Sequence, residues 1–161
     1  MRPTLYTVDL GGPGTLSTMA RPRGGDWLAE EMSGLRDAGV DTLVCALTQA
    51  ERDELDLTDE EQAAHDAGVK FVSLPIPDRG LPVLEVALPV LRALAGELRQ
   101  GAHIVTHCRF GIGRASLLAA SLLVLDGAEP ADAWARLEKA RGLPVPDTSD
   151  QRQWPGKLTN R

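Results

Sequence analysis

The stretch His103-Ile-Val-Thr-His-Cys-Arg-Phe-Gly-Ile-Gly-Arg114 constrains this chain more than any other. A short apolar run enters a loop with Gly111 and Gly113, and an apolar segment of helix length continues to Leu125. A strand that turns through glycines into a helix gathers backbone N–H groups around one centre, at the positive end of that helix. Such a cradle fits a tetrahedral dianion, and Arg109, Phe110, Gly111, Ile112, Gly113 and Arg114 are its expected lining. Cys108 stands at the mouth, where the same positive field favours a thiolate. Arg114 can return its planar fork to two oxygens of the anion, a bidentate contact that a lysine does not give. The plain structural reading of Cys108 is a buried cysteine at a strand end.

The rest of the chain supplies a setting for this loop. Short apolar runs at Leu5–Val8, Leu16–Met19, Thr42–Leu47, Lys70–Leu74 and His103–Thr106 read as strands. Helix patterns at Asp26–Ala38, Thr58–Ala67, Val83–Leu98, Ile112–Leu125, Ala131–Ala140 and Thr148–Trp154 alternate with them. Gly39, Gly68 and Gly127 mark helix ends, and Pro82 and Pro130 mark starts. This alternation predicts an α/β fold, with a mainly parallel central sheet flanked by helices. With 161 residues, one domain spanning residues 1–161 is expected.

Composition narrows the function. A net charge of −6 with no long basic run argues against a nucleic-acid-coating protein. No stretch reaches the roughly 18 apolar residues of a membrane span, and the amino terminus lacks the apolar core of a secretion signal. A cytoplasmic location without stable membrane insertion is therefore expected. Cys45 and Cys108 are the only cysteines, too few for a disulfide framework or a four-cysteine zinc site. His103, His107 and Cys108 form no familiar ligand set, so neither metal nor organic cofactor is expected.

The segment His107-Cys-Arg-Phe-Gly-Ile-Gly-Arg114 resembles the His-Cys-x-x-Gly-x-Gly-Arg signature of protein tyrosine and dual-specificity phosphatases. The resemblance extends, more loosely, from Leu35 to Trp154. It implies their fold and a phosphate monoester hydrolysis that runs through a cysteinyl-phosphate intermediate, with Cys108 as nucleophile and Arg114 as phosphate clamp. His107 is carried over as a supporting residue that tunes the thiolate. The chemistry also needs an acid for the departing oxygen. Asp78, in Pro75-Ile-Pro-Asp-Arg-Gly-Leu-Pro82, resembles the acid-loop residue of small dual-specificity phosphatases and lies thirty residues before Cys108. Its plain reading is a turn aspartate.

Gln151, with Gln153 second, matches the late glutamine that orients the hydrolytic water in related enzymes, or else belongs to an ordinary surface helix. Cys45 is expected on a strand beside that of Cys108. It reads either as a buried structural cysteine or as the redox partner of a reversible Cys108 disulfide. Ala115 departs from the usual Ser or Thr after the arginine, as it does in the regenerating-liver branch of the family. Ser116 points elsewhere on a helix and does not replace that hydroxyl. The expected partner is a phosphorylated protein or a small phosphorylated molecule. Arg79 and Arg109 add positive charge near the pocket, which keeps phosphoinositide and inositol phosphate hydrolysis open as the alternative. Ala115 keeps open a phosphate-binding module with little turnover. Sulfur transfer and arsenate reduction also use a loop cysteine, but the full Cys108 to Arg114 pattern with a separate Asp78 loop favours phosphoester chemistry.

Overall fold

Alternating side chains in β5 (His103–His107) divide the molecule into two layers around a sheet. Ile104 joins the core on one face, and Thr106 donates from there to the Ala115 carbonyl at 2.8 Å. Val105 joins the core on the other face, where His107 meets Glu60. The structure, a computed structural model, describes residues 3–161.

The other strands are β1 (Tyr6–Val8), β2 (Thr15–Met19), β3 (Thr42–Cys45) and β4 (Lys70–Ser73), in the order β1-β2-β5-β3-β4. Strands β2, β5, β3 and β4 are parallel, while β1 runs antiparallel to β2. The sheet is therefore mixed and mostly parallel. The reason lies in the connection: residues 9–14 suffice to reverse the chain but are too few for a parallel crossover, which takes a dozen or more.

One face is covered by α4 (Leu84–Arg99), α5 (Arg114–Leu125) and α6 (Pro130–Arg141), the other by α1 (Leu28–Asp37) and α3 (Glu60–Asp66). Helix α5 is apolar all round and buried from Arg114 to Val124, as a helix held between the sheet, α4 and α6 must be. Two short helices complete the set, α2 (Gln49–Glu54) and α7 (Ser149–Gln153).

The sequence did not announce α2, whose six residues are mostly polar. Helix α5 starts at Arg114 rather than at Ile112, because Gly111 has a left-handed φ of +74° and Gly113 is non-helical. Strand β3 stops at Cys45, short of Leu47. Among the described residues no helix is long and apolar enough to cross a membrane. The parallel strands end along one edge of the sheet, so the loops after β5, β3 and β4 gather there. This is where open α/β sheets bind ligands.

Candidate active site

Residues 108–113 fill the turn between β5 and α5. A side chain at Gly111 would come within 2.9 Å of the Met19 backbone, so the end of β2 lies directly against the loop. The Arg21 N–H donates to the Arg109 carbonyl at 3.2 Å and ties the next loop to it. Gly113 needs to be glycine for a different reason. Its φ of −86° suits any residue, but a Cβ would collide with the Asp147 carboxylate. Cys108 is buried at the base of the turn. Phe110, by contrast, is 65% exposed beside it.

Arg114, on the first turn of α5, is buried, and both of its terminal nitrogens have partners. Its Nη1 donates to Glu51 Oε1 at 2.6 Å and to the Ile76 carbonyl at 2.8 Å; its Nη2 donates to Glu51 Oε2 at 2.9 Å. Asp78 Oδ1 lies 3.4 Å from the same Nη2, and its side chain is 68% exposed. The Asp78 loop and the Cys108 loop therefore converge on one guanidinium. Glu51 is the third residue of a capping box on α2: its side chain accepts from the Thr48 N–H, and Thr48 accepts from the Glu51 N–H. The Arg114 hydrogen bond, with help from Thr48 and against the cost of burial, holds the Glu51 carboxyl down at about 2. Arg109 also turns to acidic groups, 3.3 Å from Glu54 and 3.6 Å from Glu51.

Beneath the loop, His107 is fully buried. Its Nε2 is 2.5 Å from Glu60 Oε2, and its Nδ1 is 3.1 Å from the Cys108 carbonyl. Burial works against a charge on the ring, but Glu60, together with Cys45 beside it, outweighs that and keeps the imidazole protonated well above its ordinary range. The ligating atoms of Cys45, Glu60 and His107 all lie within 4.8 Å of one another.

Gln151 is wholly buried on α7. Its Oε1 accepts from the N–H groups of Asp147 and Thr148, at 3.1 and 3.3 Å, and its Nε2 donates to the Gly80 carbonyl at 3.2 Å. Both ends of the amide are thus committed, one of them to the loop that carries Asp78. Gln153 is exposed at the helix end.

Cys45 pairs in register with His107, the residue before Cys108, and packs in the core under α1 and α3, whereas Cys108 packs in the core under α4 and α5. Both thiols are free and buried. Ala115 is buried, and Ser116 Oγ has no hydrogen-bond partner among the described residues. In the loop before α1, Arg23 is paired with Glu31 and stacked 4.2 Å from the Trp27 ring centroid.

The sequence reading named Cys108, Arg114, Asp78, His107 and Gln151, and they converge on one edge of the sheet. It missed Glu51, Glu60 and Asp147. Thr48-Gln-Ala-Glu51 carries the capping-box spacing and was a usable signal for Glu51. Glu60 and Asp147 had no local signal, because their partners lie far away in the chain.

A buried cysteine on a glycine-containing turn from strand to helix, with a buried arginine fork and a carboxylate on a facing loop, defines the class of cysteine-dependent phosphatases. The chain belongs to the family described as polymorphic toxin system, DSP-PTPase phosphatase, whose sequence model matches residues 17–128. No curated protein matches the sequence. Among solved structures, kinase associated phosphatase with its catalytic cysteine replaced by serine is similar at a TM-score of 0.88 and 20% identity, over 100% of this chain and 98% of that one. Tk-PTP in its active form is similar at 0.73 and 23%, over 97% of each chain. PTPMT1 in complex with PI(5)P is similar at 0.72 and 16%, over 89% of this chain and 88% of that one. At these identities the likeness shows a shared fold.

Proposed function

We propose that the protein removes phosphate from phosphorylated protein side chains, with Cys108 as nucleophile, Arg114 as phosphate clamp and Asp78 as general acid. The meeting of Asp78 and Glu51 on the Arg114 guanidinium, at the mouth of the Cys108 loop, carries this reading. The Cys108 thiolate attacks phosphorus in line, and the bond to the leaving oxygen breaks as Asp78 gives that oxygen its proton. Water then attacks the cysteinyl phosphate, Asp78 takes the water's proton, and the thiolate departs. Loop N–H groups and the Arg114 fork hold the equatorial oxygens through both steps. His107 supports the loop from below, and Gln151 anchors the acid loop through Gly80.

A protein substrate is favoured over a multiply phosphorylated lipid or inositol. The charge of Arg109 is already met by Glu54 and Glu51, and Asp147 adds a negative charge beside Gly113, which leaves the exposed Arg79 as the one of the two arginines open to a second phosphate. Exposed Phe110 supplies an apolar edge against which an aryl phosphate can lie. We place the enzyme in a reducing compartment such as the cytoplasm, in keeping with its two free cysteines, and read residues 1–161 as one catalytic domain.

The test is hydrolysis of an aryl phosphate without added metal, its inhibition by vanadate, and its loss in Cys108→Ser. Full activity in that variant rules out the covalent route. A panel of phosphopeptides and phosphoinositides then separates the substrate classes.

A further inference from the structure

His107 is shut off from bulk solvent, and both of its ring nitrogens meet partners inside the protein. The Nδ1 partner is the Cys108 carbonyl, which can only accept, and Nδ1 must therefore carry a proton. The Nε2 partner is Glu60 Oε2. Both residues are 0% exposed, and the other Glu60 oxygen has no hydrogen-bond partner among the described residues. A buried carboxylate with one bare oxygen is costly unless a cation stands against it, and the imidazole is the group in contact with it. The ring is faced by Glu60 from α3, by Cys45 from β3 and by Cys108 from the following loop.

We propose that Glu60 is a positioning residue for the nucleophile: its carboxylate holds His107 as an imidazolium, whose Nδ1–H fixes the Cys108 carbonyl and whose charge lies beneath the Cys108 loop. The inference rests on Cys108 being the nucleophile. Anchoring its carbonyl sets the first peptide of the anion cradle, and a fixed positive charge one residue away favours the thiolate. Glu60 never meets substrate and acts only through His107. The same trio offers sulfur, oxygen and nitrogen at distances a metal would accept, but the Nε2 proton shared with Glu60 occupies the place that a metal would need.

The experiment uses the full chain and Glu60→Gln, which keeps size and a hydrogen-bonding oxygen while removing the charge. Nitrogen-15 NMR of the wild type at about pH 7.5 should show both His107 ring nitrogens protonated, and in Glu60→Gln only one. Alkylation of Cys108 by iodoacetamide at about pH 6 should be about tenfold slower in the variant, with the gap closing at high pH as the thiol ionises unaided. Turnover of an aryl phosphate should fall alongside, with little change in KM. A neutral His107 in the wild type overturns the proposal even if Glu60→Gln fails to fold. So does an alkylation profile in Glu60→Gln that coincides with that of the wild type, or one equivalent of Zn2+ bound by the wild type and lost in Glu60→Gln. If Cys108→Ser retains full activity, the catalytic assignment fails, whereas the NMR result on His107 still reports on the Glu60 pair.

Discussion

Arg114 and Glu51 meet fork to fork, Nη1 to Oε1 at 2.6 Å and Nη2 to Oε2 at 2.9 Å, across 63 residues of chain. The same carboxylate caps its own helix through Thr48. One short helix therefore holds Arg114, and Arg114 in turn meets the loop after β4 at Ile76 and Asp78. A flexible arginine aimed before substrate arrives loses less freedom when the phosphate binds.

Replacing Glu51 by Gln tests this aim without harming α2, since glutamine also serves in a capping box. A charge-assisted bond of about 1.5–3 kcal/mol is weakened, so kcat/KM for an aryl phosphate should fall on the order of ten- to hundredfold. Arg114→Lys should lose at least as much, because it keeps the charge and loses the fork. The folded value of about 2 for Glu51 lies below the ordinary carboxylate range of about 4.3. The stability it adds is thus complete above that range and is lost as pH falls through about 2. The stability gap between wild type and Glu51→Gln in acid titrations should be constant above about pH 5 and close toward that limit.

Asp78→Asn should slow substrates with poor leaving groups much more than those with good ones, since only the former need a proton on the departing oxygen. The alkaline limb of the pH profile, which reports loss of the protonated acid, should flatten. A leaving-group series on wild type and variant measures both. Equal losses across the series would remove Asp78 from the role.

Gln151→Ala takes three hydrogen bonds from a buried site and leaves the Asp147 and Thr148 N–H groups and the Gly80 carbonyl without their partner. The expected cost is about 1–3 kcal/mol, with Tm falling roughly 2–4 °C per kcal/mol for a domain of this size. Turnover should fall as well, because the acid loop loses its tether. A variant with unchanged melting and activity would make this anchor irrelevant.

Ala115 puts no hydroxyl near the departing thiolate, so breakdown of the cysteinyl phosphate should limit turnover. Ala115→Ser should raise steady-state kcat, on the order of ten- to hundredfold if one added bond to a charged group acts only in that step, and shrink the pre-steady-state burst of phenol. The added oxygen enters a buried position, so thermal melting should accompany the kinetics. A burst-free wild type whose turnover Ala115→Ser leaves unchanged would show that another step is limiting.

By itself the sequence determined the strand, the glycine turn and the apolar helix that follows. Those are local matters: Gly111 supplies a left-handed φ, Gly113 leaves room, and a mostly apolar run broken only by Ser116 and Ser121 makes a helix buried on all sides. It likewise placed Cys108 and Arg114 on that turn and Asp78 on the loop after β4. Glu51, Glu60 and Asp147 became part of the site only through the tertiary fold. Each is an ordinary acidic residue on a polar helix or loop until β5 is inserted between β2 and β3. That strand order sets His107 against α3 and turns the first residue of α5 toward α2. It also packs Cys45 with the core under α1 and α3 and Cys108 with the core under α4 and α5. Spacing along the chain carries none of this, because every one of these pairings joins residues whose own neighbours give no sign of the partner.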